Sequence, residues 1–459
     1  MQVTRWIAVA VSAAALAAAC GSGGGDGRGA GDGGSVEGGS AEPSPSTGPV
    51  GSTEPTRPAE TVPPAEPTVV AVAQRRIIED SGETLAAVTA IERFGSTWFM
   101  AAVNDDPDVN VVVSPTSLGI VLAMVEPGAS GDGLEQVHAA LGVSDPAALH
   151  EAMNTLEQML ESREPFDESE TLTLRVANAA FMQDGYPFET SFLDTIGTHY
   201  GPVVQTVDFA SDPEPPRRAI NGWVSEQTEE RIPELIPEGA ITTDTRLALV
   251  NALYLNASWP RALDPDDTKP VDFTRLDGSR VEVPLMATRS EASYQGDGWV
   301  GADVDLSGGL RIEFVLPDDG RLHDVVQRLD EVWRDYRLDA RPPAELRIPR
   351  FDTRVSTRRQ GPPGGAAIGL DQLFESDSLL ALAPDPTLKI SEIIHEVFLA
   401  FDEQGVEGAA ATAALYVAAS GRPRGIPIPV ILDRPFVFRI VDGWTGAALF
   451  LGQITDPTA

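Results

Sequence analysis

The chain is poor in the residue types that form disulfides and bind polyanions. Cys20 is the single cysteine among 459 residues, so no intramolecular disulfide can form and stability must come from packing. The 33 basic residues are outnumbered by 69 acidic ones, and only Lys269 and Lys389 are lysines. A formal charge of −36 repels nucleic acid, heparin-like polyanions and anionic lipid headgroups. Nucleic-acid binding is therefore excluded.

The sequence also lacks the motifs of the common catalytic classes. The globular part contains no G-x-S-x-G and no Walker loop, and HEVFL at His395 lacks the second histidine of a zinc-binding H-E-x-x-H. The Gly-rich stretch at residues 361–369 matches no phosphate-binding motif, and we predict a loop there. No metal-ligand spacing relates the five histidines, His138, His150, His199, His323 and His395. We predict that the protein is not an enzyme and has no metal or cofactor.

Residues 1–19 are typical of an export signal. Arg5 precedes an apolar run at residues 6–19 that is too short to be a comfortable membrane span. Three alanines directly precede Cys20, which resembles a bacterial lipobox, where the cysteine is lipidated and becomes the mature N-terminus. An ordinary secretory signal cleaved nearby is the alternative. We expect an exported lipoprotein on the outer face of the cell membrane, or a secreted protein.

The composition changes near residue 76. Residues 20–75 are rich in Gly, Ser and Pro and cannot bury a core, so we predict a disordered stalk that follows the lipidated cysteine. Residues 76–459 alternate between helical and extended periodicity without an internal repeat, which indicates one α+β domain. The pattern predicts one helix at residues 81–103, a second that begins after a cap at Ser114-Pro115-Thr116-Ser117, and a third across PPRRAINGWVSEQTEERI. It predicts a strand at LALVNALYLNASW.

Four sequence blocks in this domain share one resemblance. They are NVVVSPTSLGIVLAMVEPGASGDGLEQVHAALG at 110–142, LVNALYLNASW at 249–259, PLMATRSEASYQ with LRIEFVLPDD at 284–319, and IIHEVFLAFDEQGVEGAAATAAL with DRPFVFRIVDGWTGAALFLGQITDP at 393–457. In this order they resemble the signatures of the serpin family of serine protease inhibitors. The resemblance implies the serpin fold, an α+β protein with three β-sheets, eight or nine helices and an exposed reactive-centre loop.

Residues 403–420 form an alanine-rich segment without proline between two segments of β character. Its alanine content is typical of a helix, but Gly405 and Gly408 interrupt its start. By resemblance, this segment is the reactive loop, exposed as bait in one state and inserted into the main sheet in another. The resemblance assigns the hinge of the loop to Glu403, Gly405, Val406, Glu407, Gly408, Ala409, Ala410, Ala411 and Thr412.

In an inserted strand the side chains alternate between the two faces of the sheet. Val406, Ala410 and Thr412 would share one face, and Glu407 would lie on the other, where its charge can remain at the surface. No proline interrupts the ladder and no charge falls on the inward face, which favours an inhibitor. Val406 stands where the family usually has Thr or Ser, and Gly408 where it usually has Ala.

The family's spacing from Gly405 places the scissile bond at Ala419–Ser420. A small apolar residue before the cut indicates an elastase-like or subtilisin-like serine protease as the partner. The stretch beyond the cut is long, so Arg424–Gly425, which suits a trypsin-like enzyme, is a second candidate. The implied mechanism is suicide inhibition by a monomer: the protease serine forms an acyl-enzyme at Ala419. About fourteen loop residues, or on the order of 45 Å of strand, then insert and distort the protease.

The resemblance also assigns a switch region that times the opening of the sheet. Its residues are Ser114, Ser117, Asn251, Trp259 and His395. Each of these also has a simpler explanation as a polar core residue with satisfied hydrogen bonds. The competing function is that of a non-inhibitory serpin acting as a binding or structural protein, which cleavage without a trapped complex would support.

Overall fold

The chain contains both extended apolar segments and amphipathic helical segments, which together favour an architecture of sheets covered by helices. The computed structural model has this architecture. The structure describes residues 68–69, 84–336, 342–407 and 426–459. All of them belong to one compact unit.

Nine α-helices lie in the described residues. They are α1 (Leu85–Asp105), α2 (Pro115–Val125), α3 (Gly131–Leu141), α4 (Pro146–Glu161), α5 (Thr190–Tyr200), α6 (Glu214–Gln227), α7 (Leu322–Gln327), α8 (Leu329–Asp335) and α9 (Gly361–Ala366). None of the helices in this part of the chain combines the length and the apolar character needed to span a bilayer.

The same residues contain seventeen strands. They are β1 (Thr68–Val69), β2 (Val111–Val113), β3 (Leu172–Gln183), β4 (Val203–Val207), β5 (Leu247–Ser258), β6 (Lys269–Thr274), β7 (Arg280–Ser290), β8 (Ser293–Gly296), β9 (Trp299–Asp305), β10 (Leu310–Pro317), β11 (Ala344–Pro349), β12 (Phe351–Gln360), β13 (Glu392–Phe401), β14 (Gly405–Val406), β15 (Ile428–Ile431), β16 (Phe436–Asp442) and β17 (Ala448–Ile454).

The strands form three sheets. The main sheet has seven strands in the order β1-β4-β3-β5-β14-β13-β12. A six-stranded sheet has the order β2-β17-β16-β10-β9-β8, and a four-stranded sheet has the order β15-β11-β7-β6. The α+β class, the three sheets and the helix count agree with the expectation from sequence.

Helix α2 fixes one side of the functional region beneath the main sheet. Ser114 caps it, since its side chain accepts a hydrogen bond from the Ser117 amide, and Pro115 occupies the first turn, where no backbone donor is needed. Helix α1 crosses α2 closely at Gly95, where an added Cβ would lie 2.8 Å from the Cα of Pro115. The sequence predicts a cap at Ser114 for the helix that follows, and the structure confirms it.

Two local features differ from the sequence reading. Residues 361–369 were expected to be a loop, but Gly361–Ala366 form α9, a short helix that has proline in its first turn, where the ring fits without loss of a hydrogen bond. Thr68–Val69, within the range expected to be stalk, pair with Thr206 and Gln205 of β4 at the edge of the main sheet.

Candidate functional site

The start of the predicted loop is already a strand of the main sheet. Gly405 pairs with Ser258 and Val406 with Ala257 on β5, and Val406 also pairs with Phe401 on β13. The chain reaches this place through a turn, in which one carboxylate oxygen of Asp402 accepts hydrogen bonds from the amides of Gln404 and Gly405 at 2.8 and 3.1 Å. The hinge therefore lies between β5 and β13.

Glycine is required at the first position of β14. A Cβ on Gly405 would lie 2.1 Å from the carbonyl oxygen of Ala257, far inside contact distance. Val406 follows with a fully buried side chain. Its apolar side chain fits this inward position, where a threonine would need a partner for its hydroxyl.

Below β14 the two flanking strands do not pair with each other in the described residues. A cavity of about 920 Å³ lies there instead. We call this gap between β5 and β13 the slot. Its lining is largely aliphatic and includes Leu249 and Leu253 of β5, Ile393 and Val397 of β13, and Leu118 of α2. An extended segment of small apolar residues would suit a slot of this width and chemistry.

A row of polar side chains crosses the main sheet at the middle of the slot. Asn178 of β3 is directly opposite Asn251 of β5, and Asn251 Nδ2 donates a hydrogen bond to Asn178 Oδ1 at 2.9 Å. On the other side of the slot, His395 of β13 is opposite Thr357 of β12. The hydroxyl of Thr357 accepts a hydrogen bond from Trp98 Nε1 at 2.9 Å.

Helix α2 joins the two halves of this row from below. The backbone amide of Ser114 donates to His395 Nε2 at 2.8 Å, and the hydroxyl of Ser117 donates to Asn251 Oδ1 at 2.5 Å. The amide of Ser117 also donates to the hydroxyl of Ser114. One end of α2 is thus bonded to both strands that border the slot, so movement of either strand must be accommodated at this helix end.

Burial lowers the pKa of His395 to about 3, since the low-dielectric surroundings disfavour the imidazolium. The ring is therefore neutral at physiological pH. Because Nε2 accepts a hydrogen bond from Ser114, the remaining proton is on Nδ1. A neutral histidine can hold this contact without placing a charge in the core.

At the upper end of the slot, Trp259 and Glu403 fix the turn that leads into β14. Trp259 donates from Nε1 to the Asp402 carbonyl at 2.8 Å, and its backbone amide donates to the Gln404 carbonyl at 2.9 Å. Glu403 accepts a hydrogen bond from Thr268 at 2.8 Å and pairs with Arg350 at 3.5 Å. Both ends of the turn are anchored, so motion of the loop must begin after it.

Comparisons with known proteins match this architecture. Residues 89–457 match the family described as Serpin (serine protease inhibitor). The leukocyte elastase inhibitor of Sus scrofa is 29% identical over 387 residues, which are 80% of this chain and 98% of that protein. The native state of tengpin, a thermophilic serpin, superposes with a TM-score of 0.71 at 22% identity, over 85% of this chain and all of that one. Thyroxine-binding globulin in complex with thyroxine superposes with a TM-score of 0.69 at 23% identity, over 82% of this chain and all of that one.

This chain belongs to the serpin family. The match covers most of the domain, and the structural likeness confirms the predicted serpin fold. The family description points to inhibition of serine proteases as the coarse function of this serpin. Its target protease and the trapping of an acyl-enzyme are proposals.

The structure brings four of the five predicted switch residues together, namely Ser114, Ser117, Asn251 and His395. Trp259 lies instead at the upper end of the slot, beside the turn before the hinge. Of the predicted hinge residues, Glu403, Gly405, Val406 and Glu407 are described. The others lie outside the described residues, as do Cys20 and both candidate reactive bonds: Gly408, Ala409, Ala410, Ala411, Thr412, Ala419, Ser420, Arg424 and Gly425.

Two members of this site were missed by the sequence analysis. Asn178 and Thr357 complete the polar row of the serpin, but neither lies in a segment that carries a functional motif. A lone asparagine in the apolar run LRVANAAFM is the signal that could have identified Asn178. Glu407 is also placed differently from expectation, because it lies on the outer face of the sheet but is only 6% exposed.

Proposed function

We propose that this serpin is a suicide inhibitor of an elastase-like or subtilisin-like serine protease, and that it acts as a monomer by inserting its cleaved loop into the slot. The observation that carries the proposal is the register of β14. The loop has entered the sheet by two residues, and the space ahead of it is bordered by two strands that do not pair with each other in the described residues.

Continuing this register along both neighbours supports the proposal. Each further loop residue moves one position back along β5 and along β13, because β14 is antiparallel to both. Thr412 would then be opposite Asn251 on one side and His395 on the other. Each of the two ladders, continued by itself, would bring the loop's threonine to the middle of the polar row. Its hydroxyl would join the hydrogen bonds that already link this row to α2.

Loop composition suits the rest of the slot as well. On the same register, Ala410 would lie at an inward position between Leu253 and Val397. Ala414 would lie at the next but one inward position, between Leu249 and Ile393. Alanine fills such a space without side-chain entropy cost and leaves no polar group unpaired. Residues 407–416 would span the ten β5 positions from Asn256 down to Leu247.

The chemistry begins with the protease. Its serine Oγ attacks the carbonyl carbon of Ala419, the bond to the Ser420 nitrogen breaks, and the released amine takes the serine proton. The new carboxyl end is held on the protease as an ester. Insertion then competes with attack by water on that ester, and an inhibitor results when insertion is faster. Arg424–Gly425 is the alternative bond, suited to a trypsin-like enzyme.

The first test is incubation of the purified full chain with pancreatic elastase, subtilisin and trypsin in turn, followed by denaturing gels and mass spectrometry. We expect an adduct that survives denaturation with elastase or subtilisin, and release of a peptide that begins at Ser420. An adduct with trypsin alone and a cut after Arg424 would move the reactive bond. Cleavage by all three without any adduct would refute the inhibitory mechanism and leave the non-inhibitory serpin.

A matched pair of loop variants tests insertion itself. Ala410→Glu would bury a carboxylate between Leu253 and Val397 without a partner, whereas Ala409→Glu would place it on the outer face, opposite Tyr254 and Phe398 and near the guanidinium of Arg231. We expect Ala410→Glu to lower the adduct yield by at least about tenfold with cleavage intact, and Ala409→Glu to retain the adduct. Equal behaviour of the two variants would contradict the register.

We also propose that Cys20 carries the lipid anchor and that residues 20–75 hold the domain away from the membrane. The composition of this segment and the lipobox-like alanines support the proposal. Expression of the full chain and of Cys20→Ser in a bacterial host, with membrane and soluble fractions compared, tests it. Membrane association that persists in Cys20→Ser would contradict it.

A further inference from the structure

The tip of the inserted hinge is held from outside the sheet by one ion pair. Glu407, the residue after β14, has a carboxylate that is 6% exposed, and Arg231 Nε donates to its Oε1 at 2.6 Å. Arg231 belongs to the segment that links α6 to β5 and is itself half-exposed. Tyr254 on β5 is a second neighbour of this carboxylate, and its hydroxyl opposes the rise that burial causes in the pKa of Glu407. We call Glu407 and Arg231 the clasp.

Backbone strain is concentrated at the clasp. The described residues include four non-glycine positions at positive φ, and three of them are here: Glu229 at 49°, Glu230 at 63° and Glu407 at 54°. Left-handed backbone is unfavourable for side chains with a Cβ and persists where surrounding contacts impose it, which is common at switches. Glu407 is therefore the point where the chain bends out of the strand direction.

The Arg231 guanidinium is itself held in place. It lies over the ring of Phe398 at 5.5 Å, and Arg354 lies over the same ring at 5.8 Å. Arg354 also donates to the backbone carbonyl of Arg231 at 2.6 Å, which fixes the segment that carries it. The cation is thus positioned by β13 and β12, the strands on the far side of the slot from Tyr254.

The two members of the clasp are not equivalent. Burial raises the pKa of Glu407 above its usual range, although the hydrogen bonds from Arg231 and Tyr254 act in the opposite direction. A neutral side chain at this position is therefore compatible with the tucked hinge. An ionised carboxylate without its cation is not, because an unpaired buried charge is strongly unfavourable.

We propose that Arg231 is a positioning residue for the inhibitory reaction, which keeps Gly405 and Val406 tucked between β5 and β13 by neutralising the buried carboxylate of Glu407. The tucked residues are the first rung of the inserted strand, so insertion after cleavage extends an existing end instead of starting a new one. This inference rests on the proposed function for its kinetic consequence. The tucked hinge itself can be measured without a protease.

The structural test is hydrogen exchange, measured by mass spectrometry on the uncleaved full chain. The Glu407 amide donates to the Ala400 carbonyl at 2.6 Å in the tucked hinge, so its exchange reports release. We expect Arg231→Gln to speed exchange at residues 405–407 on the order of tenfold, and Glu407→Gln to leave it unchanged within about twofold. The double variant Arg231→Gln/Glu407→Gln should return to the slow exchange of the wild type.

The kinetic test counts the inhibitor molecules consumed for each protease molecule trapped, using the protease that gives an adduct with the wild type. Arg231→Gln should raise this number at least about threefold without slowing loop cleavage, and the double variant should restore it. Arg218→Gln is the matched control, since it removes an exposed arginine that pairs with Glu214 within α6 and is not part of the clasp. It should leave the consumption number near the wild-type value.

The outcomes are separable. If the wild type forms no adduct but Arg231→Gln still speeds exchange at the hinge, the clasp stands and the proposed inhibitory function fails. If exchange in Arg231→Gln is unchanged, or if Glu407→Gln speeds it as much, the clasp is refuted whatever the protease result. A failure of both Arg231→Gln and the double variant to fold would make Arg231 a structural residue and refute the proposal as well.

Discussion

At the scale of single residues, His395 makes the folded state sensitive to mild acid. Its pKa is about 3 in the fold and about 6.5 in the unfolded chain, so between these values the unfolded state binds more protons. Stability from this residue is therefore fully present above pH 6.5 and is lost as the pH falls towards 3, by up to about 1.4 kcal/mol per pH unit.

The measurement is the midpoint of urea unfolding from pH 7 to pH 4.5 for the wild type and for His395→Gln. The variant should be less stable at pH 7, because the acceptor for the Ser114 amide is disturbed. Its midpoint should fall less steeply with acid than that of the wild type. Parallel pH profiles would show that His395 does not titrate on unfolding in the way its burial demands.

Residue-level prediction succeeded where the signal was local and failed where it came from strand register. The Ser114 cap follows from its place before Pro115, and the structure shows it. The partnership of Asn178 with Asn251 depends on the pairing of β3 with β5, which are far apart in sequence. No local pattern encodes such a pairing, and the same holds for Arg231, which meets Glu407 only through the folded sheet.

At the scale of elements, long strands and helices were predictable because their apolar periodicity is strong. The run LALVNALYLNASW corresponds to β5, and the helix expected at residues 81–103 corresponds to α1. The helix expected across PPRRAINGWVSEQTEERI ends at Gln227, before two residues that adopt left-handed backbone. Those residues lie in the segment that carries Arg231, so tertiary contacts override helix propensity where the site needs a turn.

The crossing of α1 and α2 gives a prediction at this scale. Gly95→Ala would press a methyl group on the Pro115 backbone and ring at 2.4–2.9 Å, and the ring cannot move away as a flexible side chain could. We expect a net loss of about 1–3 kcal/mol in the free energy of unfolding. The steric overlap with Pro115 outweighs the gain of up to about 1 kcal/mol that alanine brings to a helix.

Gly222→Ala in α6 is the matched control, since nothing lies within 4 Å of its added Cβ. It should be neutral or stabilising by up to about 1 kcal/mol, through helix propensity alone. Urea unfolding of both variants decides the matter. A stable Gly95→Ala would mean that α1 and α2 can separate, and with them the hydrogen bonds from α2 to both borders of the slot.

At the scale of the whole molecule, the uncleaved fold keeps a slot that, on the proposed mechanism, its own loop fills after cleavage. The slot holds about 920 Å³ and is lined by aliphatic side chains on both sides of the polar row, so filling it would remove apolar surface from water. The chain between β14 and β15 is continuous before cleavage, and on the proposed mechanism a cut in this connection allows insertion. On the proposed mechanism, chain connectivity holds the uncleaved state, which is then not the most stable arrangement of the chain.

This predicts that cleavage stabilises the molecule. After a cut at Ala419, with the protease removed, the melting temperature should rise by at least about 10 °C, because the inserted residues add ladder hydrogen bonds on both sides and fill the slot. Ala410→Glu, cut at the same bond, distinguishes the effect of cleavage from the effect of insertion. Its loop is cleaved, but the loop cannot insert because the carboxylate would be buried in the slot without a partner. Its melting temperature should stay near that of the uncleaved protein. If cleaved wild type melts no higher than the intact chain, the slot is not the destination of the loop, and the energy for trapping a protease must come from elsewhere in the molecule.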